Sequence, residues 1–128
     1  MGYRVLIVDD SPSMRSVVRR VLEMSGLPVE SCHEAEHGAE ALSIMLRNPV
    51  DVVLTDINMP VMNGEQFLSR IRGHDPFAHI PVLVVSTDAS HQRIRRMLEL
   101  GASGYLSKPF FPEALRSEIE RVLEAHDA

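Results

Sequence analysis

The sequence has little of several features that mark particular classes of protein. One cysteine, Cys32, among 128 residues excludes an intramolecular disulfide and a cysteine-based metal cluster. We expect Cys32 to be a small buried hydrophobe in a cytoplasmic protein. No apolar run approaches the roughly 20 residues of a transmembrane helix, so membrane insertion is not expected. The N-terminus, MGYRVLIVDD, lacks the long apolar core and the cleavage site of a signal peptide.

An excess of positive charge is also missing. Acidic residues number 18 against 13 lysines and arginines, which gives a formal net charge of -5. Domains that bind nucleic acid over their whole surface are usually basic, so direct nucleic-acid binding is not expected. No linker, low-complexity segment or internal repeat interrupts a chain of ordinary domain length. We therefore expect a single domain over residues 1–128, without an output domain.

The sequence does contain apolar runs that alternate with helical patterns. Runs rich in Val, Ile and Leu predict strands buried on both faces, as in a parallel sheet, and more polar runs predict two further strands. The strong runs are Tyr3–Val8, Val50–Thr55 and Pro81–Val85, and the weaker ones are Val29–Ala35 and Gly104–Lys108. Apolar stripes between and after them predict five helices. This alternation predicts a doubly wound α/β fold with five parallel strands in the order 2-1-3-4-5.

Polar side chains follow four of these strands. They are Asp9 and Asp10 after the first, Asp56 after the third, Ser86 and Thr87 after the fourth, and Lys108 at the end of the fifth. Ligands of such sheets bind beyond the carboxyl ends of the strands, so we expect these groups to gather there. Each residue alone has an ordinary interpretation as a helix cap, a turn residue or a surface charge. Asp56 itself is open to three roles: helix cap, metal ligand or nucleophile.

The set of residues favours phosphoryl chemistry over those separate interpretations. Carboxylates in one place repel each other, and a hard divalent cation such as Mg²⁺ compensates them. Acids, a hydroxyl, Mg²⁺ and a lysine together are the equipment of phosphoryl transfer.

Four segments carry a family resemblance: VLIVDDSPSMR, VVLTDINMPVMNG, VLVVSTDAS and GASGYLSKPF. In order and spacing they resemble the response-regulator receiver domain of two-component signalling, most closely the stand-alone chemotaxis regulators of the CheY type. The resemblance covers essentially the whole chain and implies the flavodoxin-like fold of that family.

The resemblance also implies a role for each site residue. Asp56 would be the phosphoacceptor. Mg²⁺, or Mn²⁺ in its place, would be held by Asp9 through water, and directly by Asp10, Asp56 and the backbone carbonyl of Asn58. Ser86 and Lys108 would bind the phosphoryl group, Tyr105 would be the aromatic switch residue, and the Lys108–Pro109 bond would be cis. Positions that tune phosphoryl access or lifetime are occupied by Asn58, Thr87 and Asp88.

By the same resemblance, a histidine kinase or phosphotransfer domain would donate the phosphoryl group. The face made by the fourth helix, fifth strand and fifth helix would then change its affinity for a downstream protein, in chemotaxis-type or other signalling. Two other functions stay open. One is a Mg²⁺-dependent phosphatase with Asp56 as covalent nucleophile, which Asn58 disfavours because that class usually has a second acid there. The other is a binding module that works without phosphorylation.

Arginines are concentrated on two of the predicted helices. They are Arg15, Arg19 and Arg20 on the first, and Arg93, Arg95 and Arg96 on the fourth. Such residues usually form a solvated face. The functional hypothesis is that the first group helps to meet a phosphodonor and the second docks a partner.

Thr87 is a departure from the family pattern that can be tested directly. Relatives usually have a small residue there, and a β-branched side chain narrows access to Asp56. We expect Thr87→Ala to take up a phosphoryl group faster than the parent and to lose it faster. Intact-mass time courses with acetyl phosphate and Mg²⁺ measure both rates, and equal or faster rates in the parent would contradict the hypothesis.

Overall fold

A computed structural model of the chain describes residues 2–88 and 90–127. Strands and helices alternate strictly, as the sequence predicts. The elements are β1 (Tyr3–Val8), α1 (Pro12–Met24), β2 (Val29–Ala35), α2 (Gly38–Arg47), β3 (Val52–Thr55), α3 (Gly64–Gly73), β4 (Val82–Ser86), α4 (His91–Glu99), β5 (Gly104–Ser107) and α5 (Pro112–Asp127).

All five strands pair in parallel in the order β2-β1-β3-β4-β5, which confirms the predicted topology. Every residue of β3 and β4 is buried, in agreement with their apolar sequences. The third strand begins at Val52 rather than Val50, and the carboxylate of the intervening Asp51 accepts a hydrogen bond from the backbone N–H of Arg4 at 2.7 Å. Cys32 is half-buried rather than buried, because β2 lies at the edge of the sheet.

Two hydrophobic layers cover the two faces of the sheet. On one face α1 and α5 pack against the strands, and on the other face α2, α3 and α4 do so. The anchoring is uneven: α3 buries Phe67, Leu68 and Ile71, whereas Met97 is the only buried side chain among the nine residues of α4. The helix with the least burial is the one most easily displaced. Within the described ranges, no helix has both the length and the hydropathy needed to cross a membrane.

Local capping places the helices at the carboxyl ends of the strands. The side chain of Ser11 accepts the N–H of Met14 at the start of α1, and Ser90 accepts the N–H of Arg93 at the start of α4. These bonds satisfy backbone donors that have no partner inside the helix. Beyond the C-cap of α4, Gly101 adopts φ +106°, a conformation that favours glycine. The helix thus ends at Glu99, with Leu100 as its C-cap and Gly101 directly after it.

The loop from β3 to α3 folds tightly against the end of β3. The N–H of Gly64 donates to the carbonyl of Ile57 at 2.7 Å. A Cβ at Gly64 would lie 2.5 Å from the carbonyl oxygen of Asp56 and 2.7 Å from the Cα of Ile57. Position 64 therefore accepts only glycine without a shift of the backbone that carries Asp56.

Two glycines at opposite ends of α3 form a matched test of this close approach. We expect Gly64→Ala to lower the free energy of unfolding by about 1–3 kcal/mol, because backbone atoms must move to admit the methyl group. A Cβ at Gly73 would meet nothing within 4 Å, so Gly73→Ala should leave stability unchanged or raise it by up to about 1 kcal/mol. Urea denaturation measures both, and an equal effect of the two substitutions would contradict the packing explanation.

Candidate functional site

Three carboxylates meet where β1 and β3 end. Asp9, Asp10 and Asp56 each offer a carboxylate oxygen, and these atoms lie within 4.8 Å of one another. The sheet brings them together: Val8 pairs with Thr55, and the N–H of Asp56 donates to the carbonyl of Val8 at 2.9 Å. Asp9 is buried, Asp56 is half-buried and Asp10 is exposed. A cluster with one side open to solvent suits a hard cation that keeps part of its water shell.

Lys108 balances part of this negative charge. Its Nζ lies 2.9 Å from Oδ2 of Asp9 and 3.6 Å from Oδ2 of Asp56. The Lys108 side chain is only 8% exposed, and it is the one lysine of the sequence. A carboxylate as buried as that of Asp9 needs such a partner. The bond from Lys108 to Pro109 is cis, as the family resemblance implied.

The carboxyl of Asp56 has a raised pKa. Burial raises its pKa above the ordinary value, and the nearby charge of Asp9 acts in the same direction. The N–H of Ile57, which donates to Oδ1 of Asp56 at 2.7 Å, and the ammonium of Lys108 oppose that rise. Burial dominates, so the charged form of Asp56 is disfavoured and a bound cation would relieve it.

Ser86 and Tyr105 are connected through the backbone of Asp88. The Ser86 side chain is buried, and its Oγ accepts the N–H of Asp88 at 3.2 Å. The hydroxyl of Tyr105 donates to the carbonyl of the same Asp88. Burial raises the pKa of the Tyr105 phenol, which keeps it protonated as a donor. The loop after β4 therefore joins the buried hydroxyl to the aromatic ring.

The remaining predicted site residues lie at the rim. Asn58 is exposed, and the role of its carbonyl as a ligand stays a prediction. Thr87 is exposed and lines a pocket of about 240 Å³ with Lys108, Phe110 and part of α1, so its effect on access to Asp56 also stays a prediction. The carboxylate of Asp88 turns toward α4, where it accepts the N–H of Ser90 at 3.1 Å.

The sequence patterns did not reveal the partners of four arginines. Arg15 and Arg19 both pair with Glu34 of β2, and Arg93 and Arg96 both pair with Glu65 of α3; Arg20 and Arg95 are exposed. The Arg15 side chain is 12% exposed, so it is not the free surface charge that a docking role requires. One signal was available: helical side chains lean toward the helix N-terminus, so an arginine in the first turn of α1 reaches back to the loop before it.

The fold, with three carboxylates and Lys108 at the carboxyl edge of its sheet, is that of CheY-like receivers, which are signalling switches. The chain belongs to the response regulator receiver domain family, whose model matches residues 5–120.

Several relatives of the chain are chemotaxis proteins. The chain is 36% identical to chemotaxis protein CheY1 of Helicobacter pylori, over 97% of this chain and 99% of that protein. It is 35% identical to the CheY homolog of Campylobacter jejuni, over 94% of this chain and 92% of that protein. Among solved structures, the chemotaxis response regulator CheY4 of Vibrio cholerae superposes with a TM-score of 0.80 at 36% identity, covering 95% of this chain and 99% of that one.

Membership of the receiver family implies a general activity, and the site residues described above are consistent with it. CheY-like receivers take phosphoryl groups from histidine kinases and act on downstream proteins, as switches rather than turnover enzymes. The family binds Mg²⁺ at an acidic pocket. Here the close approach of three carboxylates, with one lysine as partial compensation, fits a divalent cation by charge and by ligand type.

The raised pKa of Asp56 predicts a pH-dependent gain in stability for Asp56→Asn without divalent metal. When a carboxyl has a higher pKa in the folded state than in the unfolded state, the folded protein loses stability as the pH rises. The loss begins near the ordinary pKa of 3.8 and is complete above the folded pKa. Asn removes that penalty and can still accept the N–H of Ile57. We expect a higher Tm than the parent at pH 7 and little difference near pH 3.8. A difference that is absent at neutral pH, or that grows on acidification, would contradict this account.

Proposed function

We propose that this protein accepts a phosphoryl group on Asp56 from a phosphohistidine of a histidine kinase or phosphotransfer domain, in a Mg²⁺-dependent reaction. It acts in the cytoplasm as a stand-alone receiver and passes the signal by changing its affinity for another protein. Chemotaxis-type signalling is the pathway that its named relatives favour. The observation that carries the proposal is the half-buried Asp56 carboxylate, grouped with Asp9 and Asp10 and only 3.6 Å from the ammonium of Lys108.

The transfer itself follows from that arrangement. A carboxylate oxygen of Asp56 forms a bond to phosphorus as the N–P bond of the donor breaks and the electron pair returns to the imidazole. Lys108 would pair with a phosphoryl oxygen, and the hydroxyl of Ser86 would donate to another. Mg²⁺ would be held by Asp9, Asp10, Asp56 and the Asn58 carbonyl, and it supplies charge neutralisation when bound. Attack by water on phosphorus then breaks the O–P bond, releases inorganic phosphate and restores Asp56.

The same residues link phosphorylation to the surface. A phosphoryl group adds roughly -1.5 to -2 charge and three strong acceptors beside Asp56. Drawing Ser86 toward those acceptors removes the acceptor of the Asp88 N–H and disturbs the loop that Tyr105 holds. Since α4 follows that loop and buries only Met97, the face of α4, β5 and α5 is where the change is expressed.

One alternative has a specific observation against it. An aspartyl-nucleophile phosphatase usually has a second acid two residues after the nucleophile, and this chain has the exposed Asn58 there. An amide cannot serve as the general acid for a leaving alcohol. A signalling switch therefore fits the residues better than an enzyme that turns over phosphate esters.

Intact-mass spectrometry with acetyl phosphate and Mg²⁺ tests the proposal. We expect a gain of one phosphoryl group in the parent and in Asp75→Asn, an exposed aspartate in the loop after α3 that serves as the matched control. The gain should be lost in Asp56→Asn and when the metal is chelated. In the same samples, hydrogen exchange should change over the face of α4, β5 and α5 only where phosphate is gained.

Each other outcome points to a different function. No gain in a folded parent would overturn the proposal in favour of a binding module that works without phosphorylation. A gain that persists in Asp56→Asn would place the acceptor elsewhere. Continuous release of inorganic phosphate from small phosphate esters would favour the phosphatase.

A further inference from the structure

Arg15, near the start of α1, contacts the backbone of the acidic cluster. One guanidinium nitrogen, Nη1, donates to the carbonyl oxygen of Asp9 at 2.6 Å. A second, Nε, donates to Oε1 of Glu34 in β2 at 3.0 Å. With 12% of its side chain exposed, Arg15 bridges the loop after β1 to the neighbouring strand.

The carbonyl that Arg15 holds belongs to the peptide between Asp9 and Asp10. The Asp9 side chain has its own restraints, because Oδ1 accepts the N–H of Ser11 at 3.0 Å and Oδ2 accepts Nζ of Lys108 at 2.9 Å. Asp10 is exposed, so the direction of its carboxylate depends on the backbone that presents it. Fixing the plane of the Asp9–Asp10 peptide therefore orients Asp10 toward Asp9 and Asp56.

Glu34 in turn orients Arg15. Its two carboxylate oxygens are divided between two arginines of α1: Oε1 accepts Nε of Arg15, and Oε2 accepts Nε of Arg19 at 2.9 Å. Arg19 also donates to the carbonyl of Cys32 at 2.7 Å. Both arginines tie α1 to β2, and of the two only Arg15 also reaches the backbone of the acidic loop.

We propose that Arg15 is a positioning residue for the metal site: oriented by Glu34, it fixes the Asp9–Asp10 peptide and thereby sets the affinity for Mg²⁺. The inference rests on the Mg²⁺ site of the proposed function. Groups that orient metal ligands from behind typically change metal affinity about 10–100-fold when they are removed. The opposite sign follows if Arg15 acts only by charge, because deleting a cation beside three carboxylates would strengthen Mg²⁺ binding.

Titration calorimetry with MgCl₂ on the unphosphorylated protein tests this sign. We expect Arg15→Met to weaken Mg²⁺ binding by about tenfold or more, and Arg15→Lys, which keeps a donor for the Asp9 carbonyl, to recover part of the loss. Arg19→Met is the matched control, since it breaks the other bond to Glu34 and leaves Asp9 untouched. Its Mg²⁺ affinity should stay within about twofold of the parent.

Thermal unfolding in chelator separates positioning from general stability. Arg15→Met and Arg19→Met should both lower Tm, because each loses an ion pair with Glu34, while only the first loses metal affinity. Glu34→Gln should weaken Mg²⁺ binding less than Arg15→Met, and it provides a second measurement if Arg15→Met does not fold.

Two results would overturn the positioning role. One is unchanged or tighter Mg²⁺ binding in Arg15→Met, or in Glu34→Gln and Arg15→Lys together if Arg15→Met is unfolded. The other is an equal loss of Mg²⁺ affinity in Arg19→Met, which would show that the effect comes from the ion pairs between α1 and Glu34 of β2 in general. A parent that binds no Mg²⁺ at all overturns the proposed function itself, and the positioning role with it.

Discussion

The buried ion pair between Asp9 and Lys108 is the interaction on which the site depends. It joins the end of β1 to the end of β5, across 99 residues of sequence, with both side chains under a tenth exposed. Among the residues that the structure describes, no other positive side chain forms an ion pair with these three carboxylates, whose nearest oxygens lie within 4.8 Å of one another. One lysine does not balance three acids, however, and burial still raises the pKa of Asp56. The residual negative charge is what makes the site suited to a cation.

The two cationic side chains nearest this site, Lys108 and Arg15, contact it in different ways. The buried ammonium of Lys108 contacts the carboxylate of Asp9 directly. Arg15 instead contacts the backbone carbonyl of Asp9, and its guanidinium forms an ion pair with Glu34. An arginine whose charge is paired elsewhere can hold the loop without competing for the metal's position. Asp10 is exposed, so the acidic cluster is open to solvent on its side.

The site is connected to the surface near α4 by two hydrogen bonds to the backbone of Asp88. Ser86 and Tyr105 both bond to Asp88, one to its N–H and the other to its carbonyl. The next helix, α4, contacts α3 through the ion pairs of Arg93 and Arg96 with Glu65, and it buries only Met97 among its own side chains. Partly exposed ion pairs contribute little each, so this helix can respond to a small change in the loop that precedes it.

The sequence by itself determined the five strands, their order and the grouping of Asp9, Asp10, Asp56, Ser86 and Lys108, because apolar runs are local patterns and parallel strands end at one edge. It did not reveal that Arg15 binds Glu34 or that Arg93 binds Glu65. Those partners lie 19 and 28 residues away, in elements whose facing sides no local period specifies. The spacing of residues along a helix tells which side chains share a face, whereas only the packing of that helix against its neighbours decides what the face meets.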